Sequence, residues 1–185
     1  KDKDEAKSLE DKSKTVRSLE AVEAQIAENS PVWEGDQSAI DVTRRLAKLW
    51  EERHDYTAHR ESIDGALYFY RHANTLMNGS DPAIGRKITD LELKKVDSGI
   101  KTKEAYIQQL EEWFAQGGEQ HPDAQQYRET LEASKREIEE LKVQRMVTLI
   151  AEARRRVERN PTDLQLRFEL GELLLNSGNF NDAIP

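Results

Sequence analysis

The 185-residue chain contains no cysteine, which excludes disulfides, thiolate nucleophiles and cysteine-ligated zinc. Proline occurs five times and glycine nine, so few positions force the backbone out of a helix. Aromatic residues make up 6%. No apolar run approaches the roughly 18 residues of a membrane-spanning helix. Positive charge is not in surplus either: the net charge is −8 and the pI about 5.2, which disfavours nucleic-acid binding through phosphate neutralisation. Missing cysteine does not assign a compartment, and with no signal peptide visible the cytoplasm is favoured.

What remains is strongly charged. Asp, Glu, Lys and Arg are 35% of the chain and the mean hydropathy is −0.86. A thick globular core is not expected. Abundant Ala, Glu, Lys, Leu and Arg approach the composition of long helices. The expected fold class is therefore all-α, in one domain or two small ones.

Hydrophobic spacing divides the chain further. Leu9, Val16, Leu19, Val22 and Ile26 predict one amphipathic helix over residues 1–29, stopped at Asn29-Ser30-Pro31. Asp36 or Ser38 is the expected cap of a second helix carrying Ile40, Leu46, Leu49 and Trp50. After a break near Asp55-Tyr56-Thr57, a third helix carries Ile63, Ala66, Leu67, Phe69, Tyr70, Ala73 and Leu76. Asn78-Gly79-Ser80 ends it.

Asp81-Pro82 restarts the chain with a capping residue and a proline at the first helical position. Leu93, Val96, Ile100, Lys103, Ile107, Leu110 and Phe114 then alternate at spacings of 3 and 4, a heptad seam with one polar member, Lys103. Gly117-Gly118 permits a reversal. A second long helix follows His121-Pro122-Asp123, with a stripe of Tyr127, Leu131, Ser134, Ile138 and Leu141. Beyond Val143 the stripe shifts to Val147, Ile150, Ala153 and Val157. The expectation for residues 81–160 is a long antiparallel coiled-coil helical hairpin.

After Asn160-Pro161 the sequence LQLRFELGELLLNSGNFNDAIP is the richest apolar stretch of the chain. Leu170-Gly171, Leu174, the turn glycine Gly178, Phe180 and Ala183 together resemble the tetratricopeptide repeat (TPR) family. Arg167 stands where the family usually has tryptophan. Pro161 matches the proline that closes a preceding unit. The resemblance covers residues 161–185 and implies a truncated repeat, hence a longer parent protein with further repeats in an α-α superhelix. It also implies that the first helix lines a peptide groove with Gln165, Phe168, Glu172, Leu175 and Asn176. Phe168 and Glu172 replace the basic, amide-rich clamp of the chaperone-binding members, so an apolar or basic peptide is the expected ligand. A weaker echo over residues 43–67 (Leu46-Ala47, Trp50, Tyr56, Ala66) allows a degenerate repeat-like helix pair within residues 1–80. There His54 and His59 replace the expected small residues.

Other constellations favour architecture over chemistry. His54 and His59 lie five apart and His72 and His121 are isolated, whereas helical metal ligands want spacings of 3 or 4. Arg154, Arg155, Arg156 and Arg159 suit the carbonyl end of a helix better than an anion site. Trp33, Trp50, Trp113, Tyr68, Phe69 and Tyr70 suit core anchors better than a ligand-stacking surface. No phosphate-loop, dinucleotide, nucleophile-elbow or HExxH string occurs. No catalytic residue, metal or cofactor is expected. The function these features favour is a non-enzymatic TPR scaffold or adaptor binding a protein or peptide. A self-associating coiled coil and a regulatory segment of a larger enzyme are the alternatives.

Overall fold

A computed structural model of the chain describes residues 18–179. They form six α-helices and one 3-10 turn, with no strand among the described residues. None of these helices is long and apolar enough to cross a membrane. The expectations for Leu9 and Val16, and for Phe180 and Ala183, lie outside the described residues. Contacts divide the chain into two compact units, with the boundary between Ile88 and Thr89.

The first unit contains α1 (Leu19–Gly35), α2 (Ile40–Thr57) and α3 (Arg60–Leu76). Ser18 caps α1, its hydroxyl accepting the Ala21 N–H. The expected stop at Pro31 is wrong: the helix runs through the proline to Gly35. An interior proline costs about 3 kcal/mol, but ending there would release Trp33, which is buried on edge against Phe69 at 5.2 Å. The expected caps of α2 are also wrong. Asp36 accepts the N–H and the hydroxyl of Ser38 in a local turn, and Ala39 is the capping residue, without a side-chain bond. The break between α2 and α3 falls at Ala58, in the left-handed conformation with φ 53°.

The core of this unit is dense. Leu46, Ala47, Ala66 and Ala73 are fully buried and Ile63 is 1% exposed. Trp50 lies flat over Gly65, where a Cβ would come within 2.5 Å of the indole. Arg53 ties three helices together. It donates to Glu23 of α1 at 3.0 Å and to Ser62 of α3 at 2.8 Å, and sits over the Trp50 ring of its own helix.

A fourth helix, α4 (Pro82–Ala115), begins in the first unit and continues into the second. Asp81 accepts the Ala83 N–H at its start. The 3-10 turn Gly118–Gln120 follows, then α5 (Ala124–Arg159) and α6 (Leu164–Asn176). Across α4 and α5, Asp97 meets Arg145, Lys103 meets Glu137 and Glu111 meets Lys135. Partner numbers fall on one helix as they rise on the other, the order of an antiparallel pair. Val96, Leu110, Leu131, Ser134 and Ile138 are buried between them, and Leu141 lies 3.5 Å from a Cβ built at Gly99.

Trp113 closes the turn. It meets Tyr127, Phe114 and His121 edge-on, and its ring lies 2.4 Å from where a Cβ on Gly118 would stand. Farther along α5, Ile150 and Ala153 are buried, in the stretch packed by α6. Val147, expected in the same stripe, is 61% exposed. The seam instead continues through Arg145, whose charge is met by Asp97 at 2.7 Å.

Candidate functional site

The site proposed from sequence lies on α6. Asp163 fixes the start of this helix by accepting the N–H groups of Gln165 and Leu166. Pro161, two residues earlier, cannot extend α5. Once started, the helix is apolar on more than one side. Leu174 is 3% exposed, and Leu166, Leu170 and Leu173 are half-buried. Arg156 of α5 pairs with Glu169 at 3.1 Å and helps hold α6 in place.

All five groove candidates, Gln165, Phe168, Glu172, Leu175 and Asn176, are exposed. Phe168 is 60% exposed and Leu175 49%, and Leu164, not singled out from sequence, is 76% exposed. Leu164, Phe168 and Leu175 follow one another at helical spacing, so they form an apolar stripe. Gln165 donates to Glu169 at 3.4 Å. The surface offers apolar contact with a carboxylate, Glu172, inside it. Chemically it can bind, and it carries no nucleophile–base pair.

A second surface includes Val147 and Ile150, which the sequence reading assigned to the hairpin stripe. Val143, Met146, Val147 and Ile150 of α5, with Asn176, Ser177 and Asn179 after α6, line a groove of about 340 Å³. The signal was present in the spacing of 143, 146, 147 and 150, a helical stripe offset from the one that faces α4. Lys142 stands at its edge. The Lys142 ammonium is held above the ordinary lysine range, first by its hydrogen bond to Glu139 and then by that carboxylate's charge.

The remaining candidates are absorbed by the fold. His54 is buried with Nδ1 at 3.1 Å from the His59 carbonyl. His72 reaches the Gln37 carbonyl, and His121 Nδ1 accepts the Asp123 N–H. Among the described residues no group of three or more His, Asp or Glu is placed to hold a metal ion. Arg155 donates to Thr89 across to α4, and Arg156 is the bridge to α6. Trp33 packs with Tyr68, Phe69 and His72, and Tyr70 is buried. Comparison with protein-family models, with curated proteins and with solved structures found no match.

Proposed function

We propose that this chain is a non-enzymatic helical scaffold of TPR type. In this reading α4 and α5 form a long coiled-coil hairpin that supports α6 as the first helix of a repeat, and the outward face of α6 recruits a protein or peptide. The observation that supports it is the division of α6 into two apolar sides. Leu174, with Leu166 and Leu170, turns inward, while Leu164, Phe168 and Leu175 stay in water. An apolar stripe left exposed costs solvation free energy at about 25 cal/mol per Å², and such a stripe beside polar residues is the form of an interaction surface. Glu172 beside it favours a ligand that pairs apolar side chains with a cation.

Display of random peptides against the chain tests this reading. Peptides enriched on the native protein should lose at least tenfold in affinity on Phe168→Glu, a change at an exposed position that leaves helicity unaltered. Failure of any peptide to distinguish the two proteins overturns it. Self-association draws support from the same exposed stripe. However, Lys103, the polar member of the seam, finds Glu137 within the chain, so the seam needs no second copy to satisfy it. Sedimentation as a 21.3 kDa species at micromolar concentration eliminates the self-association reading.

A further inference from the structure

We propose that Trp33, Tyr68 and His72, beside the C-terminal end of α1, form a docking site for an arginine side chain of a partner protein. The site belongs to the first unit and does not depend on α6.

Packing explains only part of this aromatic cluster. Trp33 and Phe69 are buried and meet edge-on, but Tyr68 remains 54% exposed. Tyr68 and His72 sit one turn apart on α3, since four residues of helix rise about 6 Å. Their rings are parallel to within 4°, with centroids 6.5 Å apart. Trp33 stands at 79° to Tyr68 and 83° to His72. Two parallel rings are thus backed by a third, buried one near a right angle, and the phenol ring is open to water. The His72 ring is pinned: Nε2 donates to the Gln37 carbonyl at 2.8 Å. A carbonyl only accepts, so that nitrogen carries the hydrogen. Val32, 56% exposed, precedes Trp33 and adds apolar surface of the kind that suits the methylene stem of a long side chain.

The electrostatics select a cation. α1 carries Glu20, Glu23, Glu28 and Glu34 and no lysine or arginine. The carbonyl end of a helix favours a cation, yet the last turn of α1 holds no basic residue. Glu34 and then Asp36 stand there instead. Across residues 18–88 carboxylates outnumber Lys and Arg by 12 to 8. Aromatic faces attract cations, and a planar, weakly hydrated guanidinium stacks on them as a compact ammonium cannot. The same unit holds an example. The Arg53 guanidinium lies 5.4 Å from the centroid of the Trp50 ring while bonded to Glu23 at 3.0 Å. The proposed site repeats that combination of ring and carboxylate on an exposed surface.

Titration of the full chain with N-acetyl-arginine N-methylamide at constant ionic strength tests the site. NMR reads the Trp33 indole N–H and the Tyr68 and His72 rings. Saturable shifts at all three are expected in the millimolar range. The lysine counterpart should bind at least threefold more weakly, and the uncharged citrulline counterpart should give no saturable shift. Tyr68→Leu should abolish saturation at Trp33 and His72, whereas Tyr68→Phe should retain it, because the hydroxyl takes no part. Glu34→Gln, at an exposed position, should weaken arginine binding at least twofold without altering the fold. No saturable shift on the native chain, saturable binding of citrulline equal to that of arginine, or unchanged binding by both Tyr68→Leu and Glu34→Gln overturns the proposal. None of these outcomes reads Phe168, so the peptide test of α6 stands or falls separately.

Discussion

Tyr70 shows how one buried side chain links helices and makes stability depend on pH. Its hydroxyl donates to Glu51 at 2.8 Å, and the other carboxylate oxygen of Glu51 receives the Lys87 ammonium at 2.6 Å. Burial comes first among the causes that push the Tyr70 phenol up, followed by the hydrogen bond to Glu51 and the charge of that carboxylate, with Arg44 opposing. All three raising causes disfavour phenolate. The folded protein therefore holds this proton more tightly than the unfolded chain. The resulting stability is fully present below the unfolded tyrosine value, about 10, and is lost as pH rises through the folded value. Spectrophotometric alkaline titration should show one tyrosine ionising late, together with unfolding, and Tyr70→Phe should remove that phase. The same variant should lower stability at neutral pH by about 1 kcal/mol, the usual net worth of such a bond. A late phase that survives in Tyr70→Phe would contradict this assignment.

Among elements, the turn joining α4 to α5 is built on a close approach that only glycine allows. A Cβ on Gly118 would stand 2.4 Å from Trp113, whereas a Cβ on Gly85, inside α4, meets nothing within 4 Å. Gly118→Ala should therefore destabilise by about 1–3 kcal/mol, the usual cost of overpacking. Gly85→Ala should stabilise by about 0.4–1 kcal/mol through the unfolded chain's lost freedom. Urea midpoints of the two variants should move in opposite directions, and a common direction would refute the packing account. The sequence made the helices legible because breakers are few and caps such as Asp81-Pro82 stand where the chain turns. It misled at Pro31, where burial of Trp33 outweighs a local penalty that pattern reading treats as decisive. It misled again at Val147, because α5 has two working faces and part of one is the Arg145–Asp97 pair, which an apolar template cannot register. On α6, leucines occur on both the inward and the outward side, so composition alone could not say which face is open. Among the apolar residues there, the TPR-like spacing raised an expectation for Phe168 and Leu175 alone, and both side chains are exposed, as is Leu164, which it did not single out.

At the scale of the whole molecule, the chain concentrates its burial in one part. In the first unit Leu46, Ala47, Ala66 and Ala73 have no exposed surface and Thr43 and Ser62 are equally enclosed. In the second unit the buried large aliphatic residues nearest the turn, Leu110 and Leu131, keep 7% and 8%, and most residues around them are in water. A pair of long helices has one interface, so any residue on it can be released by local separation of two strands of helix. A residue among α1, α2 and α3 is enclosed by several elements and is freed only when they come apart together. Amide exchange reads this difference as an opening free energy. Under conditions where exchange follows the opening equilibrium, the slowest amides should lie in α2 and α3 near Leu46, Ala47, Ala66 and Leu67. Amides of residues 105–130 that are helical should exchange at least tenfold faster after correction for intrinsic rates, a gap of about 1.4 kcal/mol or more. Along α4 the protection should fall from Leu91, which is 3% exposed, toward Tyr106, because the helix is continuous but its packing is not. Uniform protection along α4 would mean that the long helix pair opens only as a single cooperative body, held by more than the single interface between α4 and α5.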